Sequence, residues 1–173
     1  QTGNGRTGKY FAYQHTNIIP DVMTTAKGLG NGFPVGAVMT QGKAVGLLGA
    51  GSHGSTYGGT VLGSRVVYTV LDTLEKENAV ENAATIGAYI VDQLRAQLID
   101  QNVQVRGFGM MIGIQLPKDC AELVAIARDE YKLIINVTAG SVVRLLPPLN
   151  MTQTQADELL QRLVPVIKNF LTA

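Results

Sequence analysis

Glycine is concentrated in the first 63 residues, and this uneven distribution limits what that part of the chain can form. Of the 20 glycines in the 173-residue chain, 15 lie in residues 1–63, whereas 22 of the 27 charged residues lie in residues 64–173. Glycine weakens the interiors of helices and strands but permits tight turns and close approach of backbones. We therefore expect short strands and turns before residue 64, and longer helices and strands after it.

Hydrophobic periodicity predicts the individual elements. The last helix is predicted to begin near Thr154, because Thr154 and Asp157 have the spacing of an N-terminal cap, and Pro165 is expected to kink or interrupt that helix. The predicted strands are residues 22–25, 35–40, 103–106, 110–116, 133–137 and 142–146, and the other predicted helices are residues 43–48, 62–77, 80–99 and 122–131.

The order of these elements predicts an α/β fold class and two structural units. Residues 1–75 are interpreted as the remnant of a larger α/β domain together with the start of a connecting helix. Residues 76–173 are interpreted as a small α+β domain. The first residue is Gln1 rather than a methionine, so we expect the chain to be part of a longer protein.

Composition and charge argue against several classes of function. The formal net charge is +1 without a basic cluster, so neither nucleic acid nor a membrane surface is an expected partner. The single cysteine, Cys120, rules out an internal disulfide and is interpreted as a half-buried small residue rather than a nucleophile. His15 and His53 lack metal-ligand spacing, so no metal site is expected. With no targeting segment visible, a cytoplasmic location is expected.

The first glycine cluster, Gly3-Asn4-Gly5-Arg6-Thr7-Gly8, matches the letter pattern of a dinucleotide-binding loop. That pattern binds a dinucleotide only between a strand and a helix, with an acidic residue about 20 positions later. No strand precedes this cluster, and Asp21 lies in a Pro-Asp turn. A flexible loop is therefore the favoured interpretation.

The second cluster, TTAKGLGNG in residues 24–32, places Lys27 at the end of a predicted strand and at the start of a glycine-rich turn. Small residues flank the amine, and only four other charged residues lie in residues 1–63. Such an amine suits covalent chemistry with a carbonyl, and the glycines leave room for a planar cofactor. The alternative is an ordinary solvated lysine.

Two further motifs could bind anions. Residues 51–59, GSHGSTYGG, offer hydroxyls and backbone N–H groups ahead of a predicted helix, which suits a phosphate, although a polar surface loop is the alternative. Arg144 lies between apolar residues on a predicted strand. It is interpreted either as an exposed edge-strand arginine or as a bidentate clamp for a carboxylate.

Taken in order, these motifs resemble the class III (subgroup II) aminotransferases of pyridoxal-phosphate (PLP) fold type I, and among them the acetylornithine aminotransferases. Residues 1–15 and 20–40 resemble the family's segment around its Schiff-base lysine, and residues 51–59 resemble its phosphate loop. Residues 106–116 and 142–152 resemble two strands of its small domain. The resemblance implies a C-terminal part containing a remnant of the large PLP-binding domain and the small domain.

The resemblance also implies a role for each candidate site residue. Lys27 would bind PLP covalently and move a proton between the substrate and the cofactor. Gln1 would lie near the cofactor ring. Thr56 would bind the PLP phosphate of the neighbouring subunit, which implies a homodimer, and Ser55 would lie beside the substrate. Arg144 would hold the α-carboxylate of glutamate or 2-oxoglutarate.

The activity implied by the resemblance is transfer of an amino group from N-acetylornithine, or a related ω-amine, to 2-oxoglutarate. Ornithine, succinylornithine and 4-aminobutyrate aminotransferases are the alternatives within the family. The family's partner for the pyridinium nitrogen would lie upstream of Gln1, so these 173 residues alone are expected to be inactive. A binding or dimerisation module without catalysis is the alternative of another class. The sequence departs from the family at Thr60 and Val61, where the family usually has Asn-Pro.

Overall fold

The computed structural model describes residues 1–172, and Ala173, the last residue of the predicted second unit, lies outside them. The described chain combines α-helices, β-strands and short 3-10 turns, which confirms the predicted α/β class. The helices are α1 (Val61–Lys76), α2 (Ala79–Gln97), α3 (Leu123–Tyr131) and α4 (Gln153–Thr172), and the strands are β1 (Val22–Thr25), β2 (Ala37–Thr40), β3 (Gln104–Phe108), β4 (Met111–Gln115), β5 (Asn136–Thr138) and β6 (Val142–Leu145).

Strands β3 to β6 form one antiparallel sheet in the order β3-β4-β6-β5. Its register pairs Ile114 of β4 with Val143 of β6, and both side chains are fully buried under the helices. Burying each such side chain contributes about 1.5–3 kcal/mol. Helices α2, α3 and α4 complete this core with the fully buried side chains of Ile90, Leu94, Leu123, Leu163, Val166 and Ile167.

Strands β1 and β2 form a separate two-stranded antiparallel sheet, in which Val22 pairs with Thr40 and Thr25 pairs with Ala37. Every residue of β2 is exposed, and most of the exposed large apolar residues of the described chain lie between Ile18 and Tyr68. The predicted division into two domains at residue 75 falls in the last turn of α1 and stays a prediction. No helix within residues 1–172 is both long enough and apolar enough to span a membrane.

Helix α4 begins one residue earlier than predicted, and its cap is a different residue. The Thr152 hydroxyl accepts from the N–H of Gln155 at 3.3 Å, and the Gln155 side chain accepts from the N–H of Thr152 at 2.9 Å. This reciprocal pair is a capping box. The predicted cap, Thr154 with Asp157, is therefore wrong, and Asp157 instead accepts a 2.6 Å hydrogen bond from the Tyr89 hydroxyl.

Pro165 does not end helix α4, which continues to Thr172 as one element. A proline has no N–H to donate to the carbonyl four residues earlier, here that of Gln161. Gln161 is exposed, so water can satisfy this carbonyl. The helix therefore continues through Pro165, because its buried stripe on both sides of the proline packs into the core against α2 and α3.

Several predicted boundaries differ from the structure at positions where the backbone turns. The helix predicted at residues 43–48 is only a 3-10 turn, Gly42–Ala44, and Gly46 then adopts a positive φ of 81°. The strand predicted at residues 133–137 is β5, which starts three residues later. Lys132 ends α3 with a φ of 53° and keeps the next N–H bonded to that helix.

Cys120 is fully buried, so the half-buried interpretation is wrong. Burial and the neighbouring carboxylates of Asp119 and Glu122 raise the pKa of its thiol, which keeps the thiol protonated and unreactive. This cysteine fills space in the core beside Leu123 rather than serving chemistry.

The glycine-rich loop of residues 3–8 packs tightly against helix α2 and the turn between β3 and β4, so the interpretation of this segment as a flexible loop is also wrong. Gly8 has a φ of 79° and comes so close to α2 that a Cβ there would lie 2.7 Å from the Ala84 side chain. The N–H of Met110 donates to the carbonyl of Arg6 at 2.9 Å, and Thr7 is only 5% exposed. The loop is therefore fixed between α2 and the turn that joins β3 to β4.

Gly87 provides the closest contact between α2 and that turn. A Cβ at Gly87 would lie 2.1 Å from the carbonyl oxygen of Gly109 and 2.2 Å from its carbonyl carbon. Both neighbours are backbone atoms, so no side-chain rotation can relieve the overlap. Alanine is normally favoured over glycine inside a helix, but the energetic cost of this overlap is larger than that gain in helix propensity.

We expect Gly87→Ala to lower the free energy of unfolding by about 2–3 kcal/mol, because α2 must move away from the Gly109 turn. Thermal unfolding should show a midpoint lower by roughly 5–10 °C. Gly49→Ala is the matched control, because nothing lies within 4 Å of the Cβ it would add and the φ there is not positive. Equal midpoints for both variants would contradict the close contact.

Candidate functional site

Lys27 lies immediately beyond the two-stranded sheet, at the first position of the 3-10 turn Lys27–Leu29. Its φ is +50°, a left-handed conformation that costs a residue with a side chain about 1–2 kcal/mol. Two bonds hold the turn: the N–H of Leu29 donates to Ala26 at 3.0 Å, and that of Gly30 donates to Lys27 at 3.1 Å. The side chain of Lys27 is exposed. Such stored strain is typical of functional positions.

Asn4 binds the backbone just before Lys27, a contact that the sequence analysis did not identify. Its amide nitrogen donates to the Thr25 hydroxyl at 3.1 Å and to the carbonyl of Ala26 at 3.2 Å. Gly28 lies against the same side chain, since a Cβ there would be 3.4 Å from the Asn4 Cβ. Asn4 lies between two glycines and has a left-handed backbone with a φ of 54°, a conformation that asparagine tolerates. Its position between the glycines is the sequence signal that could have identified Asn4 as a site residue.

Arg6 connects the same loop to the four-stranded sheet. Its guanidinium donates to the carbonyl of Pro147, just beyond β6, and to that of Met110 at 3.4 Å. Burial lowers the pKa of Arg6, and no ion pair within residues 1–172 involves it. These bonds hold the segment that contains Gln1 and Asn4 next to the loop that follows β6.

An open cleft of about 1070 Å³ lies between the β1–β2 sheet, α1 and the loop after β6. It is large enough for a cofactor together with a small substrate. Apolar side chains from α1 and from the loop after β6 form much of its wall. Among its lining residues are Gln1, Asn4, Tyr13, Lys27, Glu77 and Asn150. The structure thus brings together Gln1 and Lys27, two of the predicted site residues.

The other predicted site residues lie outside the lining of this cleft. Ser55 and Thr56 are exposed, in the loop that leads to α1. The Thr60 hydroxyl caps α1 by accepting from the N–H of Gly63 at 3.3 Å, so the departure from the family pattern at Thr60 still gives a helix start. Arg144 is half-buried on β6, and its Nε is buried without a hydrogen-bond partner in residues 1–172.

The residues around the cleft fit an aldehyde cofactor with a planar ring. An exposed amine on a rigid turn can attack a carbonyl carbon and form a covalent link. Gln1 adds a polar group on the same cleft. Within residues 1–172, no three His, Cys, Asp or Glu side chains lie close enough together to hold a metal ion.

Comparison with known proteins identifies related sequences and folds. A sequence profile of the family described as aminotransferase class-III matches residues 1–167. An acetylornithine aminotransferase of Nitrosomonas europaea is 45% identical over 173 residues, which are 99% of this chain and 44% of that protein. This chain therefore spans less than half the length of that relative.

Solved structures share the same arrangement. The ornithine delta-aminotransferase of Plasmodium falciparum matches with a TM-score of 0.92 at 34% identity, over 99% of this chain and 46% of that chain. An acetylornithine aminotransferase of Elizabethkingia anophelis matches with a TM-score of 0.90 at 30% identity, over 98% of this chain and 44% of that chain. The predicted resemblance to PLP fold type I is therefore confirmed. The chain belongs to the class III aminotransferases, a family whose cofactor is pyridoxal 5'-phosphate.

Proposed function

We propose that this chain forms the lysine-bearing part of an aminotransferase that moves an amino group from N-acetylornithine, or a related ω-amine, to 2-oxoglutarate. The exposed amine of Lys27, on a strained turn at the edge of the cleft, is the observation that carries the proposal. The names of the most similar curated relatives support N-acetylornithine as the donor. The dicarboxylate acceptor is supported by the resemblance alone.

In this proposal Lys27 attaches PLP covalently through its amine. PLP, when bound, withdraws electrons from the substrate carbon that loses a proton. Once free of the cofactor, the Lys27 amine accepts that proton and returns it, acting as general base and then as general acid. The 3-10 turn at residues 27–29 follows directly on the residues that Asn4 binds, and it places Lys27 in the lining of the cleft.

The remaining site residues are proposed to bind and orient the cofactor and the substrate. Gln1 lines the cleft and would lie near the ring of the cofactor. Thr56 donates its hydroxyl to the cofactor phosphate of a second subunit, and Ser55 lies beside the substrate. Arg144 binds the substrate α-carboxylate. The loop of residues 51–59 is exposed, which supports a role for Thr56 at a subunit interface.

We propose a homodimer in the cytoplasm as the working form. The exposed large apolar residues between Ile18 and Tyr68 support their burial by further protein, because removing apolar side chains from water is favourable. The free thiol of Cys120 is compatible with a reducing compartment. We propose further that the 173 residues alone do not turn over substrate, which the 44% coverage of the most similar relatives supports.

An ornithine aminotransferase is the main alternative, and the similarity to the Plasmodium falciparum structure favours it. Succinylornithine and 4-aminobutyrate aminotransferases are further alternatives within the family. A binding or dimerisation module without chemistry is the alternative of another class. The substrate that the longer protein uses distinguishes the alternatives within the family. The reactivity of Lys27 distinguishes an enzyme from a binding or dimerisation module.

Borohydride trapping tests the role of Lys27. We expect incubation with PLP, followed by reduction, to give one dominant phosphopyridoxyl adduct on Lys27, measured by peptide mass mapping. The exposed amine beside an open cleft makes this site more reactive than ordinary surface lysines. Lys27→Arg should remove the dominant adduct, whereas Lys43→Arg, the matched control in the same glycine-rich region, should leave it unchanged. Equal labelling of many lysines would contradict the proposal.

The contact between Asn4 and Ala26 predicts a slower reaction when it is removed. Asn4→Ala loses three hydrogen bonds worth about 0.5–1.5 kcal/mol each, so the turn at Lys27 becomes mobile. We expect the rate of Lys27 labelling to fall roughly 3- to 10-fold. Asn169→Ala, which removes a surface bond to the Tyr131 hydroxyl, is the control. An unchanged rate in a folded Asn4→Ala protein would show that Asn4 does not position the lysine.

A further inference from the structure

Two arginines lie in one row across the open face of the four-stranded sheet. The register pairs Arg106 of β3 with Gly113 of β4, and Gly113 with Arg144 of β6. Residues directly opposite each other in an antiparallel sheet project to the same face. The neighbouring residues Ile112 and Ile114 are buried under the helices, so this row lies on the opposite face. Arg106 and Arg144 therefore flank a position without a side chain.

Because Gly113 has no side chain, the side chain of Arg106 can lie over this position. A Cβ at Gly113 would lie 3.8 Å from the Nε of Arg106 and 3.9 Å from its Cγ. The side chain of Arg106 therefore leans across β4 towards β6 instead of extending straight out from β3. The backbones of β3 and β6 are about 9.6 Å apart across β4, a gap that arginine side chains can close from both sides.

Neither arginine has a counter-charge. The ion pairs within residues 1–172 include neither Arg106 nor Arg144, and neither side chain donates a hydrogen bond there. The Nε of Arg144 is buried without a partner, which is costly for a charged donor. The adjacent row on the same face, Gln104, Gln115 and Val142, is uncharged. Two neighbouring cations without an acid form a strong site for an anion.

We infer that Arg106 acts together with Arg144 to bind one carboxylate of a small dicarboxylate over Gly113. The planar guanidinium groups present paired N–H donors that match a carboxylate, and two of them can satisfy both of its oxygens. This inference rests on the proposed function for the identity of the ligand, since 2-oxoglutarate is such a dicarboxylate. Arg106 is then a specificity-determining residue, and Gly113 is required because it lets the Arg106 side chain lean across β4 towards Arg144.

The site can be tested with glutarate, a five-carbon dicarboxylate, titrated into the chain without PLP and followed by calorimetry or NMR. We expect saturable binding of glutarate and none of glutaramide, its uncharged diamide. Arg106→Gln should weaken glutarate binding at least 10-fold. Arg128→Gln, which removes the same charge from a surface ion pair on α3, should change the affinity less than 2-fold.

A second variant keeps both charges. Gly113→Val introduces a residue that suits a strand at the position where the Arg106 side chain crosses β4, and the Cβ it adds meets the Val142 side chain at an ordinary 3.4 Å. We expect it to fold with an unchanged thermal midpoint and to weaken glutarate binding about as much as Arg106→Gln. Absence of binding to the unaltered chain, or an affinity that neither variant changes, would overturn the inference. The assay uses neither PLP nor Lys27, so failed labelling of Lys27 would count against the proposed function alone.

Discussion

Close backbone contact at three glycines holds the two parts of the chain together. Gly8 touches α2 at Ala84, Gly87 of α2 touches Gly109, and a Cβ at Gly109 would lie 2.6 Å from the backbone nitrogen of Gly8. No side chain fits at any of these positions, so loop, helix and turn meet through their main chains. This contact fixes the glycine-rich loop of residues 3–8 on the well-packed core, and the cleft depends on that position.

The same loop also holds the backbone next to Lys27 in place. Arg6 ties it to the carbonyl groups beyond β6 and in the β3–β4 turn, while Asn4 reaches the opposite side and binds the residues that precede Lys27. Lys27 itself sits on a small two-stranded sheet with few buried side chains. Its strained turn is therefore stabilised mainly by contacts made through the loop, and only weakly by its own sheet.

Charge is distributed in keeping with binding of an anionic substrate. Arg106 and Arg144 share one sheet face without an acidic neighbour, and the cleft carries the amine of Lys27 beside the polar side chain of Gln1. In a stable surface such cations would be paired or fully hydrated, and the buried Nε of Arg144 is neither. Unsatisfied donors of this kind suit a site whose partner arrives from solution.

The sequence by itself determined the helices with long apolar stripes, the strands of the four-stranded sheet and the family, because periodicity and an ordered set of motifs are local properties. It misjudged the loop of residues 3–8, the α4 cap and the burial of Cys120, because these depend on contacts between residues far apart in the chain. Only the tertiary structure decided that Asn4 meets Ala26, that Gly87 meets Gly109 and that Arg106 shares a row with Arg144. Strand register and helix packing bring such residues together, and the spacing of residues within a single motif predicts neither of them.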